Sequence, residues 1–415
     1  MSQPAGVQGA EARAAAWREG AHRALAEALC ALPAPDLART PAPQLTAALA
    51  ALCEAGAFAP ALALCRRAQA AGPMAFPAAL IGALHASGAP EWRAEALALT
   101  RSWAPSAPAK PWQIAQQAQA LFWQGAPEEA LERAQGWLEA GGEDTPQLLN
   151  TLARAALALN RRAEAQRWCA RMIARYPDQA APVLALHRAL AEGRAEAMGF
   201  DLALPAGAIS GAMLEPLLSG RYEAAERAAV LADLRPGDRV LELGAGIGVI
   251  ALELARAMPD LPVLCLEANP ALEAVIAANF AANGCKAQLI GALAALEDGT
   301  AEFNLASDFW ASSVHELPGT QTQRLSRPSV DVNRLIAEFR PTLLVMDIEG
   351  AETGLLPHLA LDGLRRLVIE FHPDLCPPAT ISATLAHLLA QGFTLDLGQG
   401  SRQVLVFDRI PVQTD

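Results

Sequence analysis

The stretch "LLVMDIEGAE" (Leu343–Glu352) ends a run of four apolar residues in three carboxylates, Asp347, Glu349 and Glu352. A short apolar run marks a buried strand, and carboxylates are costly to bury unless they are paired or functional. "RLVIEFHP" repeats the pattern and closes on Glu370 and His372. Asp347, Glu349, Glu352, Glu370 and His372 are therefore the candidate catalytic residues. Three chemistries suit them. They can take the proton of a hydroxyl nucleophile, His372 being the group whose ordinary pKa suits that near neutrality. They can hold an amine or guanidine. Asp347, Glu349 and Glu370 can hold a divalent cation; the sequence defines no ligand set, so this ranks last and no metal is expected. Plainer roles stand beside these: Glu352 as an acid that favours a helix N-terminus, and His372, ahead of Pro373, as a loop former.

"ELGAGIGV" offers a second chemistry. Gly244, Gly246 and Gly248 form GxGxG between an expected strand and an expected helix. Val249 stands where the dinucleotide fingerprint wants its third glycine. The glycines let a ligand approach the backbone closely at a tight turn. Glu267, 23 residues after Gly244, closes the next strand, where a carboxylate can accept both ribose hydroxyls. Glu242, just before the glycines, suits a cationic group better than a pyrophosphate. Together these favour a nucleoside with an ammonium and a sulfonium, S-adenosyl-L-methionine. An ordinary strand-to-helix turn is the plainer reading of the glycines alone.

The elements that must position these residues alternate. From about Met213, "MLEPLLSGRYEAAERAAVLADL" reads as a helix, then "RVLEL", "PVLCLE", "KAQLI", "TLLVMD" and "RLVIEF" read as strands separated by helices. "TAEFNLAS" reads as an extra strand, and "SVDVNRLIAEF" as a helix capped by Ser329 or Asp331. "FTLDLG" and "RQVLVFD" close the chain as two strands with no helix between them, so one is antiparallel. This alternation implies a parallel sheet covered on both faces. Ligands then bind at the carboxyl ends of the strands, where Glu242, Glu267, Asp347 and Glu370 should share one rim.

The first half is different. Gly56, Gly88, Gly125, Asn160 and Gly193 each begin a short Ala-rich helical segment, at spacings of 32, 37, 35 and 33. That is close to the roughly 34-residue period of tetratricopeptide helix pairs. The expected domains are 1–200, an all-α tetratricopeptide-like repeat, and 201–415, an α/β domain. A concave repeat surface can bind a protein partner; a divergent bundle is the plainer alternative.

"VLELGAGIGVIALELA", "LEANP", "DFWASSV", "VMDIEGAE" and "IEFHP", in that order, resemble FkbM-type methyltransferases. These are class I enzymes dependent on S-adenosyl-L-methionine, many of them O-methyltransferases. The resemblance covers about residues 213–410 and implies a Rossmann-like seven-stranded sheet with the last strand antiparallel. It also implies that Gly244, Gly246 and Gly248 line the methionine part of the cofactor. Glu267 then holds the ribose with help from Asn269, and Tyr222 and Glu223 close over the ligand. The segment after the third strand, "IGALAALED", lacks the acid that many such enzymes aim at adenine, so backbone groups of Ala292 or Leu293 take that place.

Composition narrows the rest. Residues 1–200 carry 18 Lys and Arg against 17 Asp and Glu, while 201–415 carry 14 against 27. So acidic a second half disfavours a nucleic-acid substrate. No run of 18 apolar residues and no signal peptide is found, so no membrane association is expected. Seven irregularly spaced cysteines without CxxC suit reduced thiols in the cytoplasm. The expectation is a cytoplasmic enzyme that O-methylates a hydroxyl of a sugar, glycan or natural product. The alternatives are a protein side-chain methyltransferase whose substrate the repeats present, and a non-catalytic scaffold.

Overall fold

The computed structural model describes residues 28–37, 39–71, 76–104, 109–306 and 322–409. The segments "DFWASSV" and the N-terminal "MSQPAGVQGAEARAAAWREG" lie outside them. The chain divides into two compact units, Met1–Val183 and Leu184–Asp415. Among the described residues no helix is long and apolar enough to cross a membrane.

The first unit is an array of antiparallel helix pairs: Ala42–Glu54 with Phe58–Ala71, Ala78–Ala86 with Pro90–Ser102, Pro111–Trp123 with Pro127–Glu139, and Pro146–Ala158 with Arg162–Arg175. The turn inside each pair holds Gly56, Gly88, Gly125 or Asn160 at φ between +55° and +78°, a conformation that glycine and asparagine reach most cheaply. Several helices start on proline, where a missing N–H costs nothing. Second helices of successive pairs are tied by Arg66–Glu95, Arg101–Glu129 and Gln135–Glu164. Gly193 also has positive φ, but no fifth helix pair follows it. "RAEAMGF" instead forms a hairpin, β1 (Arg194–Ala197) and β2 (Phe200–Ala203), turning at Met198 and Gly199, both at positive φ. Side chains of Asn279 and Asn283 accept hydrogen bonds from the backbone of β2.

The second unit is built on β3 (Val240–Leu243), β4 (Val263–Leu266), β5 (Gln288–Ile290), β9 (Leu343–Met346), β10 (Arg366–Glu370), β11 (Phe393–Leu395) and β12 (Val404–Arg409). Their order across the sheet is β11-β12-β10-β9-β3-β4-β5. All pairings are parallel except those of β12, which runs antiparallel to both neighbours. This seven-stranded order, with its last strand antiparallel, is the one that the resemblance implies. β3, β4 and β9 are buried throughout, as strands covered on both faces must be. The extra strand, β7 (Gly299–Ala306), pairs with β8 (Thr322–Asp331), which also pairs with β6 (Leu293–Ala295) in a separate three-stranded sheet. Asp331, not Ser329, caps helix Val332–Phe339; Ser329 belongs to β8.

One expected helix is two. "MLEPLLSGRYEAAERAAVLADL" breaks between Gly211–Leu218 and Ala224–Ala232, with Gly220 at φ +74° and Glu223 at φ +46°. The break turns Tyr222 inward, 9% exposed.

Candidate active site

Chain order reverses between β3 and β9, the switch point where open sheets leave a crevice. A cavity of about 690 Å³ opens there, at the carboxyl ends of β3, β4, β9 and β10. One end is made by the glycine loop. Gly244 leaves β3 at φ +87°, and a Cβ there would collide with the Asp347 carbonyl oxygen. Only glycine lets the ends of β3 and β9 come this close. A Cβ on Gly246 would collide with the Tyr222 hydroxyl. Gly248 serves packing: its Cβ would stand 2.7 Å from the Phe280 ring, and it is not on the cavity wall.

Glu267 lies across the loop. Its carboxylate accepts the Gly246 N–H at 2.8 Å and the Asn269 N–H at 2.7 Å. Burial pushes its pKa up to about 7, against the pull of those N–H groups. The Asn269 side chain is spent elsewhere, accepting the Ala271 N–H at 2.9 Å as a helix cap. Leu272, Ala292 and Leu293 give this end an apolar wall. Arg327 of β8, which sequence reading passed over, fixes that wall by donating to the carbonyls of Ala268 (2.9 Å) and Gly291 (3.1 Å).

Glu242 does not join the rim. It is 1% exposed inside the sheet, where it accepts the Cys265 thiol at 3.0 Å. Burial pushes its pKa up to about 8. Three of the four expected rim acids, Glu267, Asp347 and Glu370, do face one cavity.

The other end gathers Asp347, Glu349, Glu370, His372 and Asp374. Glu352 sits behind them, fully buried. The turn after β9 passes through Glu349 (φ +49°) and Gly350 (φ +96°), which folds the chain back. The N–H groups of Ile348 (3.3 Å) and Gly350 (3.1 Å) then donate to Glu352 Oε1. The same oxygen meets His372 Nδ1 at 2.9 Å, while Nε2 faces Glu349 Oε2 at 3.2 Å and Asp347 Oδ1 at 3.6 Å. Burial works to lower the His372 pKa, but Glu352 and Glu349 outweigh it and raise it to about 9. These carboxylates thus hold the His372 imidazole toward its charged form.

Glu226, 6% exposed, also lines the cavity, as does Glu370. Burial, together with the Glu370 charge, raises its pKa to about 7. Sequence reading did not single it out. No local pattern marked it, because Tyr222 precedes the break at Glu223 and shares no helical face with Glu226.

No family model and no curated protein matches the sequence. Solved structures do show likeness to about half of the chain. A precorrin-6y C5,15-methyltransferase from Geobacter metallireducens is 14% identical, with 44% of this chain and 85% of that chain covered and a TM-score of 0.28. M. jannaschii TYW2, solved with AdoMet, is 16% identical over 52% and 86%, with a TM-score of 0.29. The Methanococcus jannaschii fibrillarin pre-rRNA processing protein is 14% identical over 43% and 71%, with a TM-score of 0.27. At those scores the strand order and the cavity, rather than the likenesses, carry the functional reading.

Proposed function

We propose that residues 201–415 form an S-adenosyl-L-methionine-dependent methyltransferase of the FkbM type. It would act on a hydroxyl of a sugar, glycan or natural product, in the cytoplasm. Residues 1–200 would form a tetratricopeptide-like domain. One observation carries the reading: a single cavity at the switch point has a glycine loop and Glu267 at one end and a cluster of acids at the other.

The residues present fit the cofactor. Gly244 and Gly246 expose backbone at the wall, Glu267 offers two carboxylate oxygens to a diol, and Leu272, Ala292 and Leu293 offer a flat apolar surface to a base. Seven acids, Glu223, Glu226, Glu267, Asp347, Glu349, Glu370 and Asp374, line the cavity against Arg221 and His372. Burial holds several of these carboxyls above their ordinary pKa, and a cationic ligand beside them would favour their ionised forms. When bound, S-adenosyl-L-methionine supplies a methyl group already activated on a sulfonium. The chain's own work is to align the acceptor, exclude water and take its proton. Asp347, Glu349 and Glu370 are the carboxylates on the wall that can receive that proton.

Isothermal calorimetry of the purified chain with S-adenosyl-L-methionine tests the reading. One site per chain is expected. Absence of binding overturns both the methyltransferase and the cofactor assignment, and leaves the scaffold alternative.

A further inference from the structure

The cluster after β9 holds more than a proton acceptor needs. One carboxylate oxygen each of Asp347 and Glu352 and one imidazole nitrogen of His372 lie within 4.8 Å of one another. Ligands of a divalent ion bonded at about 2.1 Å stand about 3 Å apart when cis and about 4.2 Å apart when trans. The 4.8 Å span is close to that trans separation.

A separate observation concerns unmet hydrogen bonding. Glu352 is fully buried, and its Oε2 has no hydrogen-bond partner, while its Oε1 is pinned by two backbone N–H groups and His372. Asp347 Oδ1 is likewise buried and without a hydrogen bond, since the 3.6 Å to His372 Nε2 is too long for one. Buried carboxylate oxygens are almost always satisfied, and a bound ion satisfies two at once. Glu349 Oε2, 3.2 Å from Nε2, supplies a third carboxylate beside the ring.

We propose that Asp347, Glu352 and His372 form a site for one divalent transition-metal ion at the acceptor end of the cavity. Two carboxylates with one imidazole suit the manganese, iron and zinc group rather than calcium, which takes oxygen ligands alone. Because Asp347 also lines the cavity, the ion faces the acceptor and can orient its hydroxyl and make the proton easier to lose. That role rests on the methyltransferase reading; the site itself does not.

Chelator-treated full-length protein is titrated with Mn²⁺, following loss of the free-ion electron paramagnetic resonance signal, and in parallel with Zn²⁺ by calorimetry. One ion per chain is expected. Asp347→Asn and His372→Gln should each weaken binding at least tenfold. Glu352→Gln should do the same while circular dichroism stays unchanged. No uptake of either ion by the wild-type chain, or uptake unaltered in both Asp347→Asn and His372→Gln, overturns the proposal. Calorimetry with S-adenosyl-L-methionine on the chelated wild type reports on the other end of the cavity, so failure there sinks the methyltransferase reading without touching the metal site.

Discussion

Glu267 is where charge, burial and ligand chemistry meet most closely. Its carboxyl titrates at about 7, raised by burial, and only the ionised form offers both oxygens as acceptors to a diol. Raising the pH from 6 to 8 should therefore tighten S-adenosyl-L-methionine binding by about tenfold before it levels off. Calorimetry across that range on wild type and Glu267→Gln checks it: the variant should bind weakly and lose the pH dependence. If the variant binds as tightly as wild type, the ribose assignment falls. Glu242 produces the opposite trend, in stability. Its folded carboxyl keeps its proton up to about 8, while an ordinary glutamate ionises near 4.5. Between those values only the unfolded chain sheds that proton, so this group's contribution to stability is present at low pH and lost as the pH rises. Glu242→Gln should have a melting temperature that drops less than wild type between pH 5 and pH 8, as thermal unfolding monitored by circular dichroism would show.

The glycine loop and the turn after β9 work as one element, because the backbone of Gly244 lies against the backbone of Asp347. Gly244→Ala adds a Cβ that meets a carbonyl at a positive φ. The left-handed conformation alone costs about 1–2 kcal/mol, and the collision adds about 1–3 kcal/mol. Loss of cofactor binding together with a lower denaturation midpoint in urea is expected; an unchanged midpoint would mean that the two strand ends are not held together. Gly248→Ala meets an aromatic ring that can give way, so its effect should be smaller. These elements were largely legible in the sequence. Apolar runs such as "LLVM" and "VLEL" named the strands, and the absence of a helix between "FTLDLG" and "RQVLVFD" named the antiparallel pairing. What escaped had physical reasons. A period of 3.6 runs on through "LLSGRYEAAE", but Gly220 and the left-handed Glu223 break it, and periodicity cannot see a φ. Glu242 looked like a rim acid because it stands near a strand end, yet Leu243 follows it in β3 and its side chain points to a covered face of the sheet, beside Cys265. The tie between Glu352 and His372 joins residues 20 apart and depends on the fold of a turn, which no local pattern contains.

At the scale of the whole chain, the charge imbalance and the repeats bear on the acceptor. All of the net negative charge belongs to residues 201–415, which disfavours an anionic acceptor such as a nucleic acid. The repeats raise the other reading, a protein acceptor held by the helices. Helix Pro111–Trp123 gives that reading a specific surface: Trp112 is 49% exposed and Trp123 is 66% exposed. Eleven residues apart, they fall within about 20° of each other around the helix, and large exposed aromatics are characteristic anchors of protein interfaces. A truncation that begins at Pro177 keeps helix Ala181–Glu192 whole and removes the helix pairs. It should still bind S-adenosyl-L-methionine with the affinity of the full chain, because every cavity-lining residue lies from Met213 onward. Incubation with labelled S-adenosyl-L-methionine and host-cell extract then separates the acceptors. A small-molecule or glycan acceptor predicts that label enters the low-mass or glycan fraction with the truncated chain as well as the full one. A protein acceptor predicts label in protein, lost both in the truncation and in the full chain carrying Trp112→Ala and Trp123→Ala, while cofactor binding persists in each.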